Sequence, residues 1–181
     1  MAFLNGHLLI AVPDLIDPNF FRSAVLLFQH SEDGAAGLVL NRPLTTSLQE
    51  TCPDWKVPQE GIPVFWGGPV PGPLMALHGS LTLGEIPVLP GVFLSIQKTN
   101  LEQLVKQQIH PFRLFTGYSG WGAHQLESEL TGGGWLTWPA CVDHVFSDVE
   151  TLWRELCQTI TEEVTVPGQR HSRMSHDPSW N

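Results

Sequence analysis

Short runs of apolar residues separated by turn residues predict a series of β-strands in the first part of the chain. Residues 22–30 and 35–41 flank the segment Ser31-Glu32-Asp33-Gly34, and two β-rich runs around Asp-Gly predict a β-hairpin. Apolar residues stand at successive positions in both arms, which predicts that the hairpin is buried on both faces. The same criterion predicts further strands at residues 3–12, 64–66, 74–78, 92–96, 112–118 and 135–141.

Apolar residues four positions apart predict helices, most of them in the second half of the chain. Leu152, Leu156 and Ile160 form the apolar stripe of a helix over residues 149–160. Strands that come first and helices that gather later favour an α+β fold over a doubly wound sheet. Three more helices are predicted, at residues 46–51 with Thr45 or Thr46 as N-cap, at residues 101–109 with Asn100 as N-cap, and at residues 123–130 after a glycine-rich turn over 119–122.

Composition and charge argue against several classes of protein. The 181 residues fit one domain over residues 1–166, followed by a polar tail over residues 167–181. Hydrophobic residues make up 42% of the chain and charged residues 15%, which excludes intrinsic disorder. The net charge is −9 with nine Lys and Arg residues, and this balance argues against direct nucleic-acid binding. Apolar runs fall short of the roughly 18 residues that a membrane-spanning helix requires.

Cysteine and histidine usage predicts a cytoplasmic protein without a metal site or a cofactor. Cys52, Cys141 and Cys157 are an odd, widely spaced set without a visible export signal, which predicts reduced thiols packed as small apolar residues. None of the eight histidines belongs to an H-E-x-x-H motif or lies four residues from another. A structural role is expected even for His30 and His144, the two histidines in the most suggestive surroundings.

The predicted hairpin brings polar residues into one corner. With Asp33-Gly34 as the turn, residues whose numbers sum to about 67 face each other, so Arg22 lies near Asn41 and Arg42. Asp14 and Asp17 lead into the same end of the hairpin. Two interpretations remain open: an internal Asp–Arg network that pins the loop, or a small anionic ligand held by the two guanidinium groups.

Two glycine-rich segments complete the candidate ligand-binding set, in which no residue is assigned a catalytic role. The segment 117–122 is predicted to present backbone N–H groups to an anion, with close packing beneath its aromatic rings as the alternative. The segment 67–69 belongs to the site if it lies next to the segment 117–122. The ring of Trp121 or Tyr118 would then form one wall of a pocket. The full candidate set is Asp14, Asp17, Arg22, Asn41, Arg42, Gly67, Gly68, Gly117, Tyr118, Ser119, Gly120, Trp121 and Gly122.

Three other functions compete with ligand or protein binding. A hydrolase acting on a small anionic substrate would need Ser119 as nucleophile within reach of His30 or Asp17. The nucleophile elbow, however, requires glycine at the position of Trp121. A scaffolding protein would expose a broad apolar patch. A DNA-binding regulator would bind duplex DNA in a strongly salt-dependent manner.

Several motifs, in order and with matching gaps, resemble the AlgH/YqgE family of bacterial proteins, often labelled transcriptional regulators. The resemblance extends over nearly the whole chain, apart from a loose match at residues 45–62. It rests on Gly6-His7-Leu8-Leu9-Ile10-Ala11 with Pro13-Asp14, Asp17-Pro18-Asn19-Phe20, Arg22-Ser23, His30, Gly34-Ala35-Ala36-Gly37-Leu38-Val39-Leu40-Asn41-Arg42-Pro43, Gly67-Gly68-Pro69-Val70, Gly117-Tyr118-Ser119-Gly120-Trp121-Gly122 and Gln125-Leu126-Glu127-Ser128-Glu129-Leu130.

This resemblance implies a branched mixed β-sheet that forms a partial barrel, with helices packed at its edges, in a cytoplasmic bacterial protein. The chain departs from the family pattern at His124, where glycine is common, and at Ser119, where alanine is frequent. The second departure weakens the case for a serine nucleophile. The resulting expectation is a non-enzymatic regulatory module that binds a small anionic ligand or a protein partner.

Overall fold

The computed structural model describes residues 3–55 and 61–165, and eleven strands and five helices lie within them. The strands are β1 His7–Ala11, β2 Ala24–Ser31, β3 Gly34–Val39, β4 Pro43–Ser47, β5 Pro63–Trp66, β6 Met75–His78, β7 Ile86–Leu89, β8 Val92–Ser95, β9 Phe112–Thr116, β10 Ser119–Gly122 and β11 Trp135–Pro139. The helices are α1 Leu48–Thr51, α2 Lys98–Lys106, α3 Gln125–Thr131, α4 Val142–Phe146 and α5 Leu152–Thr165. The predicted tail at 167–181 lies outside the described residues.

The strands form two sheets that exchange strands with each other. The first sheet has the order β10-β3-β2-β1-β11, and the second has the order β4-β5-β9-β6-β8-β7. All pairs are antiparallel except the parallel pair of β5 and β9. The chain passes between sheets from β3 to β4 and from β9 to β10. The predicted α+β fold with branched sheets is therefore confirmed, and the sheets curve around a shared core without closing into a full barrel.

Successive side chains of each strand point to opposite faces of its sheet, and the buried apolar residues therefore form three separate clusters. Leu8, Ile10, Leu26 and Leu38 point from the first sheet into a central core shared with the second sheet. Their neighbours in sequence point to the outer face of the first sheet, where α3 covers them. The outer face of the second sheet packs against α1 and α2. The hairpin arms are thus buried on both faces, as their continuous apolar pattern predicts.

The hairpin turn differs from the prediction by one residue. Ser31 pairs with Gly34, so the turn residues are Glu32 and Asp33, and facing residue numbers sum to 65 rather than 67. A β-bulge between Leu27 and Gln29 lowers the sum to 64 in the rest of the ladder. Gly34 has φ +136°, a conformation that favours glycine, and a Cβ atom there would also lie 2.2 Å from the carbonyl oxygen of Trp121 on β10.

Several predicted boundaries were wrong because tertiary contacts supply the caps and pairings. Residues 119–122 form β10 rather than a turn, since they pair with β3. Asn100 does not cap α2, which begins after Gln97, because the Glu85 carboxylate accepts the Ile96 and Gln97 N–H groups instead. The N-cap of α1 is Ser47 rather than Thr45 or Thr46. The strands β4 and β7 and the helix α4 were not predicted.

The described helices are short, and the longest of them packs against the central core. The longest described helix, α5, has 14 residues, and its apolar stripe of Leu152, Leu156 and Ile160 packs into the central core as the spacing predicts. None of the helices in the described part of the chain is long and apolar enough to cross a membrane.

Candidate functional site

A cleft of about 300 Å³ opens where the chain passes from the first sheet to the second. Its walls come from the loop between β1 and β2, from Arg42 and the start of β4, and from the end of β5. This volume is at the lower end of the range for small-molecule sites, and such sites combine apolar walls with a few polar groups. The lining residues are Pro18, Asn19, Arg42, Pro43, Leu44 and Trp66.

Arg42 supplies the positive charge of the cleft. One of its terminal nitrogens donates to the carbonyl oxygen of Phe21, and its own carbonyl accepts the N–H group of Trp66 at 2.8 Å. The backbone of Arg42 is therefore tied to the end of β5, while its side chain reaches across to the loop before β2. Within residues 3–55 and 61–165, Arg42 has no carboxylate within ion-pair distance.

Asn41 ties the two ends of the hairpin together beside Arg42. Its amide oxygen accepts the N–H group of Ala24 at 3.0 Å, and its amide nitrogen donates to the carbonyl oxygen of Arg22 at 2.9 Å. The prediction that Arg22 lies near Asn41 and Arg42 holds for the backbone. The guanidinium group of Arg22, however, lies over the rings of Phe21 (4.9 Å) and Trp153 (5.5 Å) and is absent from the lining of the cleft.

Asp17 shapes the loop before β2, and neither Asp17 nor Asp14 pairs with an arginine in the described residues. The Asp17 carboxylate accepts the N–H groups of Asn19 (2.7 Å) and Phe20 (3.2 Å), which fixes the turn that carries Pro18 and Asn19 into the cleft. Asp14 is exposed. In the described residues no ion pair joins either aspartate to an arginine, so the expected Asp–Arg network does not form.

The two glycine segments are neighbours, and close backbone packing accounts for their composition. Added Cβ atoms on Gly67 and Gly68 would lie 2.3 Å from the oxygen of Gly117 and 2.2 Å from the carbonyl carbon of Tyr118. Val70 and Tyr118 exchange both backbone hydrogen bonds at 2.9 Å. The backbone N–H groups of Gly67, Val70 and Tyr118 therefore pair with protein oxygens instead of facing an anion. The junction lies directly after Trp66 and holds the end of β5 in place.

Trp121 does not form the exposed pocket wall that was predicted. It is buried, 5% exposed, and its indole N–H donates to the Glu129 carboxylate at 2.9 Å. Trp135 donates to the same Glu129 oxygen at 2.9 Å, and Phe20 stacks on Trp121. Glycines at 120 and 122 alternate with the inward-facing Ser119 and Trp121, which is the pattern of a paired strand.

Ser119 is placed unfavourably for nucleophilic catalysis. Its side chain is fully buried, and its hydroxyl donates to the carbonyl oxygen of Gly67 at 3.1 Å. His30 faces Ala35 and Ser119 faces Gly37, so the two residues are two strands and two residues apart, roughly 12 Å between Cα atoms. The ring nitrogens of His30 are engaged by the Leu4 N–H group and by the Glu127 carboxylate, both at 2.9 Å. The predicted hydrolase arrangement with His30 as base is therefore not assembled.

Titratable side chains do not converge on a metal site in the part of the chain that the structure describes. No three His, Cys, Asp or Glu residues there could hold a metal ion together.

The Glu127 carboxyl has a pKa below its ordinary value, first because it accepts a backbone N–H group at the start of α3 and second because it bonds His30.

Sequence reasoning located Arg42 but missed the other lining residues of the cleft. Pro18 and Asn19 belong to a motif that carried the family resemblance, yet their side chains had no obvious role. Trp66 was assigned to a strand, and only the pairing of β4 with β5 brings it beside Arg42. The position of Trp66 directly before Gly67-Gly68 was the one feature of the sequence that could have indicated a wall of the cleft.

The fold and the cleft define a class of protein: an α+β domain with two strand-exchanging sheets and a small polar cleft at one crossing point. A family model described as AlgH-like matches residues 8–165. This chain belongs to the AlgH-like family, which confirms the resemblance drawn from its motifs.

Relatives and solved structures are similar along most of their length. A UPF0301 protein of Chlorobaculum tepidum is 36% identical over 155 residues, covering 82% of each chain, and one of Myxococcus xanthus is 39% identical over 160 residues, covering 84% of this chain and 88% of that relative. The solution structure of the AlgH protein from Pseudomonas aeruginosa superposes with a TM-score of 0.73 and 29% identity, covering 94% of this chain and 97% of that one. A Corynebacterium diphtheriae protein, with a TM-score of 0.72 and 22% identity, shares the fold.

Proposed function

We propose that this chain is a non-enzymatic, cytoplasmic regulatory module whose cleft binds a small anionic ligand through Arg42. One observation carries the proposal: a guanidinium group without a carboxylate partner among the described residues lines a cleft of about 300 Å³ beside an indole ring. Three free cysteines are in keeping with a reducing compartment.

The chemistry of the walls specifies the kind of ligand. One N–H group of the Arg42 guanidinium donates to the Phe21 carbonyl oxygen. Its remaining N–H groups can bind a carboxylate or a phosphate. Trp66, Pro43 and Leu44 offer apolar surface to the rest of the ligand, and Asn19 adds a polar group. A planar ring that carries one anionic group fits this combination. Because the chain has a net charge of −9, an anion must be attracted locally rather than by the overall field.

The other predicted site residues act on the cleft indirectly in this proposal. Asp17 fixes the turn that carries Pro18 and Asn19, and Asn41 anchors the strand end from which Arg42 projects. The glycine junction at Gly67 and Gly68 holds Trp66 at the opposite wall. Arg22 and Asp14 add to the electrostatic surroundings without lining the cleft.

NMR titration with phenyl phosphate and benzoate tests the proposal. Binding is followed at the indole N–H resonance of Trp66, which the variant Trp66→Phe assigns. Arg42→Gln should weaken binding of phenyl phosphate by at least about tenfold, because a charge-assisted, two-pronged contact is lost. Arg42→Lys should recover part of the affinity, since it keeps the charge but not the fork.

Arg154→Gln is the matched control, because it makes the same change of charge at an exposed position of α5. This variant should bind phenyl phosphate as the unaltered chain does. Equal dissociation constants for Arg42→Gln and Arg154→Gln, or a titration that leaves the Trp66 resonance unmoved, would refute the proposed site.

A protein-borne anion is the second candidate, and the surface beside the cleft favours it. Ile16 is 95% exposed and Phe21 is 44% exposed, on the same loop that supplies Pro18 and Asn19. A carboxylate on a partner protein would meet Arg42 while apolar partner groups cover these side chains. Ile16→Ser should then weaken association with the partner and leave the affinity for phenyl phosphate unchanged.

A further inference from the structure

Cys141 and His144 form a thiol–imidazole pair at the end of β11. Cys141 is exposed and stands directly before α4, and its Sγ atom lies 3.3 Å from Nδ1 of His144. The pair is separated from the cleft by the length of β1 and β11, because β11 ends beside His7 whereas the cleft lies toward the Ala11 end. Neither residue takes part in the function proposed above.

The hydrogen bonds define the state of the imidazole ring. The backbone N–H group of Cys141 donates to Nδ1 of His144 at 3.2 Å, so this nitrogen carries a lone pair and the ring proton is on Nε2. Burial of the ring lowers the pKa of His144 below its ordinary value, and the nearby Asp143 carboxylate opposes this shift only in part. The ring is therefore neutral at pH 7. The single lone pair of Nδ1 is shared between the Cys141 N–H group and the thiol, within a capping box at the start of α4.

The two other cysteines of the chain lack this arrangement. Cys52 and Cys157 are partly buried, and burial raises the pKa of both thiols above the ordinary value. A thiol acts as a nucleophile in its deprotonated form, so these two cysteines are the less reactive ones. The same molecule thus contains one exposed thiol with a base in contact and two shielded thiols that serve as internal references.

We propose that Cys141 is a site of reversible S-thiolation by small disulfides, with His144 as its base. The Sγ proton passes to Nδ1 of His144, and the resulting thiolate attacks one sulfur of the disulfide. A new S–S bond forms at Cys141 as the old S–S bond breaks, and the departing thiolate takes the proton back from His144. Cys141 is oxidised and the departing sulfur is reduced, so the exchange balances without another oxidant.

The experiment uses the full-length chain and bis(2-hydroxyethyl) disulfide, a neutral probe that the net charge of −9 does not repel. Adduct formation is followed by mass spectrometry of tryptic peptides. Cleavage at Arg113 and Arg154 places Cys141 on a peptide of its own, apart from Cys52 and Cys157. The same reaction on the chain unfolded in urea at equal pH gives the rate of Cys141 without His144 in contact.

Cys141 should react at least about tenfold faster than Cys52 or Cys157, and faster in the folded chain than in the unfolded chain. Exposure by itself cannot raise the folded rate above the unfolded one. His144→Gln should slow Cys141 by about tenfold and leave Cys157 unchanged. His110→Gln, at an exposed histidine elsewhere in the chain, should change neither rate. A folded Cys141 that reacts no faster than the unfolded thiol, or that keeps its rate in His144→Gln, overturns the proposal.

Discussion

The Nε2 atom of His30 lies 2.9 Å from Oε1 of Glu127, although 97 residues separate the two in sequence. His30 is 4% exposed at the end of β2, and Glu127 belongs to α3 on the outer face of the first sheet. Because Nδ1 of His30 accepts the Leu4 N–H group, the ring proton is on Nε2 and points at the carboxylate. This single histidine therefore connects the N-terminal segment, the hairpin and α3.

The His30–Glu127 contact should contribute to stability more than the exposed ion pairs do. Because the His30 donor is buried, its hydrogen bond to the Glu127 carboxylate should stabilise the fold more than a contact between two exposed groups does. We therefore expect a larger coupling energy in the cycle of His30→Ala and Glu127→Gln than in the cycle of an exposed ion pair. Urea unfolding of the four proteins measures it. The exposed pair of Lys106 and Glu102, 3.1 Å apart on α2, is the reference and should give about 0.5 kcal/mol or less. Equal coupling energies for the two pairs would contradict this prediction.

His78 should make the protein less stable in mild acid. It is fully buried, its Nδ1 accepts the Ser80 N–H group at 3.1 Å, and its Nε2 bonds the Ser95 hydroxyl at 2.9 Å. Burial lowers the pKa of His78 below 6.5 in the folded chain, and the nearby Glu85 opposes this only partly. In the unfolded chain the ring titrates near about 6.5. The unfolded state therefore takes up the proton first as the pH falls.

The sign of the effect follows from this order of protonation. The contribution of His78 is complete above pH 6.5 or so and is lost as the pH falls through the folded pKa, with a slope of at most about 1.4 kcal/mol per pH unit. Urea unfolding at several pH values should show this slope in the unaltered chain and a smaller one in His78→Gln. The pKa of His144 is lowered in the same direction, so His144→Gln should remove a separate part of the slope. A slope unchanged in His78→Gln would disprove the assignment.

Local patterns in the sequence were sufficient to predict the buried hairpin but not β10. The arms of the hairpin are apolar at successive positions over residues 24–28 and 35–40, and this pattern has few alternatives to a strand covered on both sides. The segment Ser119-Gly120-Trp121-Gly122 contains two glycines, which disfavour a strand on intrinsic preference. It forms a strand because it pairs with the edge of β3, where Gly120 faces Ala36 and Gly122 faces Gly34. Such a contact between distant segments leaves no local pattern.

The side-chain directions in the cleft also depend on contacts that the local sequence does not reveal. The predicted hairpin placed Arg42 correctly near the Arg22 backbone. The direction of each guanidinium group, however, depends on contacts with Phe21 in the loop before β2 and with Trp153 of α5. The charge pattern suggested Asp–Arg pairing, whereas Asp17 instead accepts the N–H groups of its own turn. Local hydrogen bonds to a nearby backbone satisfied the carboxylate first.

Glycine substitutions at the junction of the two sheets should differ sharply in cost. Gly68 has φ +153°, and a Cβ atom there would lie 2.2 Å from the carbonyl carbon of Tyr118, so Gly68→Ala forces two backbones apart. We expect a loss of about 3 kcal/mol or more, or failure to fold. Gly122→Ala should be within about 0.5 kcal/mol of the unaltered chain, because its nearest atom is the flexible Gln125 side chain at 3.9 Å.

Gly61→Ala separates backbone strain from crowding in that series. Gly61 has φ +72°, and in the described part of the chain no atom lies within 4 Å of an added Cβ, so the left-handed conformation is what opposes the substitution. It should cost about 1 kcal/mol, between the two values above. Thermal or urea unfolding ranks the three variants, and a Gly68→Ala protein as stable as Gly61→Ala would show that the sheets are not packed backbone to backbone at this point.

His124 adopts a backbone conformation that favours glycine. The residue precedes α3 with φ +63°, in the left-handed region, and its side chain makes no capping hydrogen bond to the helix. A non-glycine residue pays about 1–2 kcal/mol for this conformation, and glycine recovers most of it while adding some entropy to the unfolded chain. His124→Gly should therefore stabilise the protein by about 0.5–1 kcal/mol. Urea unfolding measures the gain, and His124→Ala, which keeps the strained backbone and removes the ring, should show none of it.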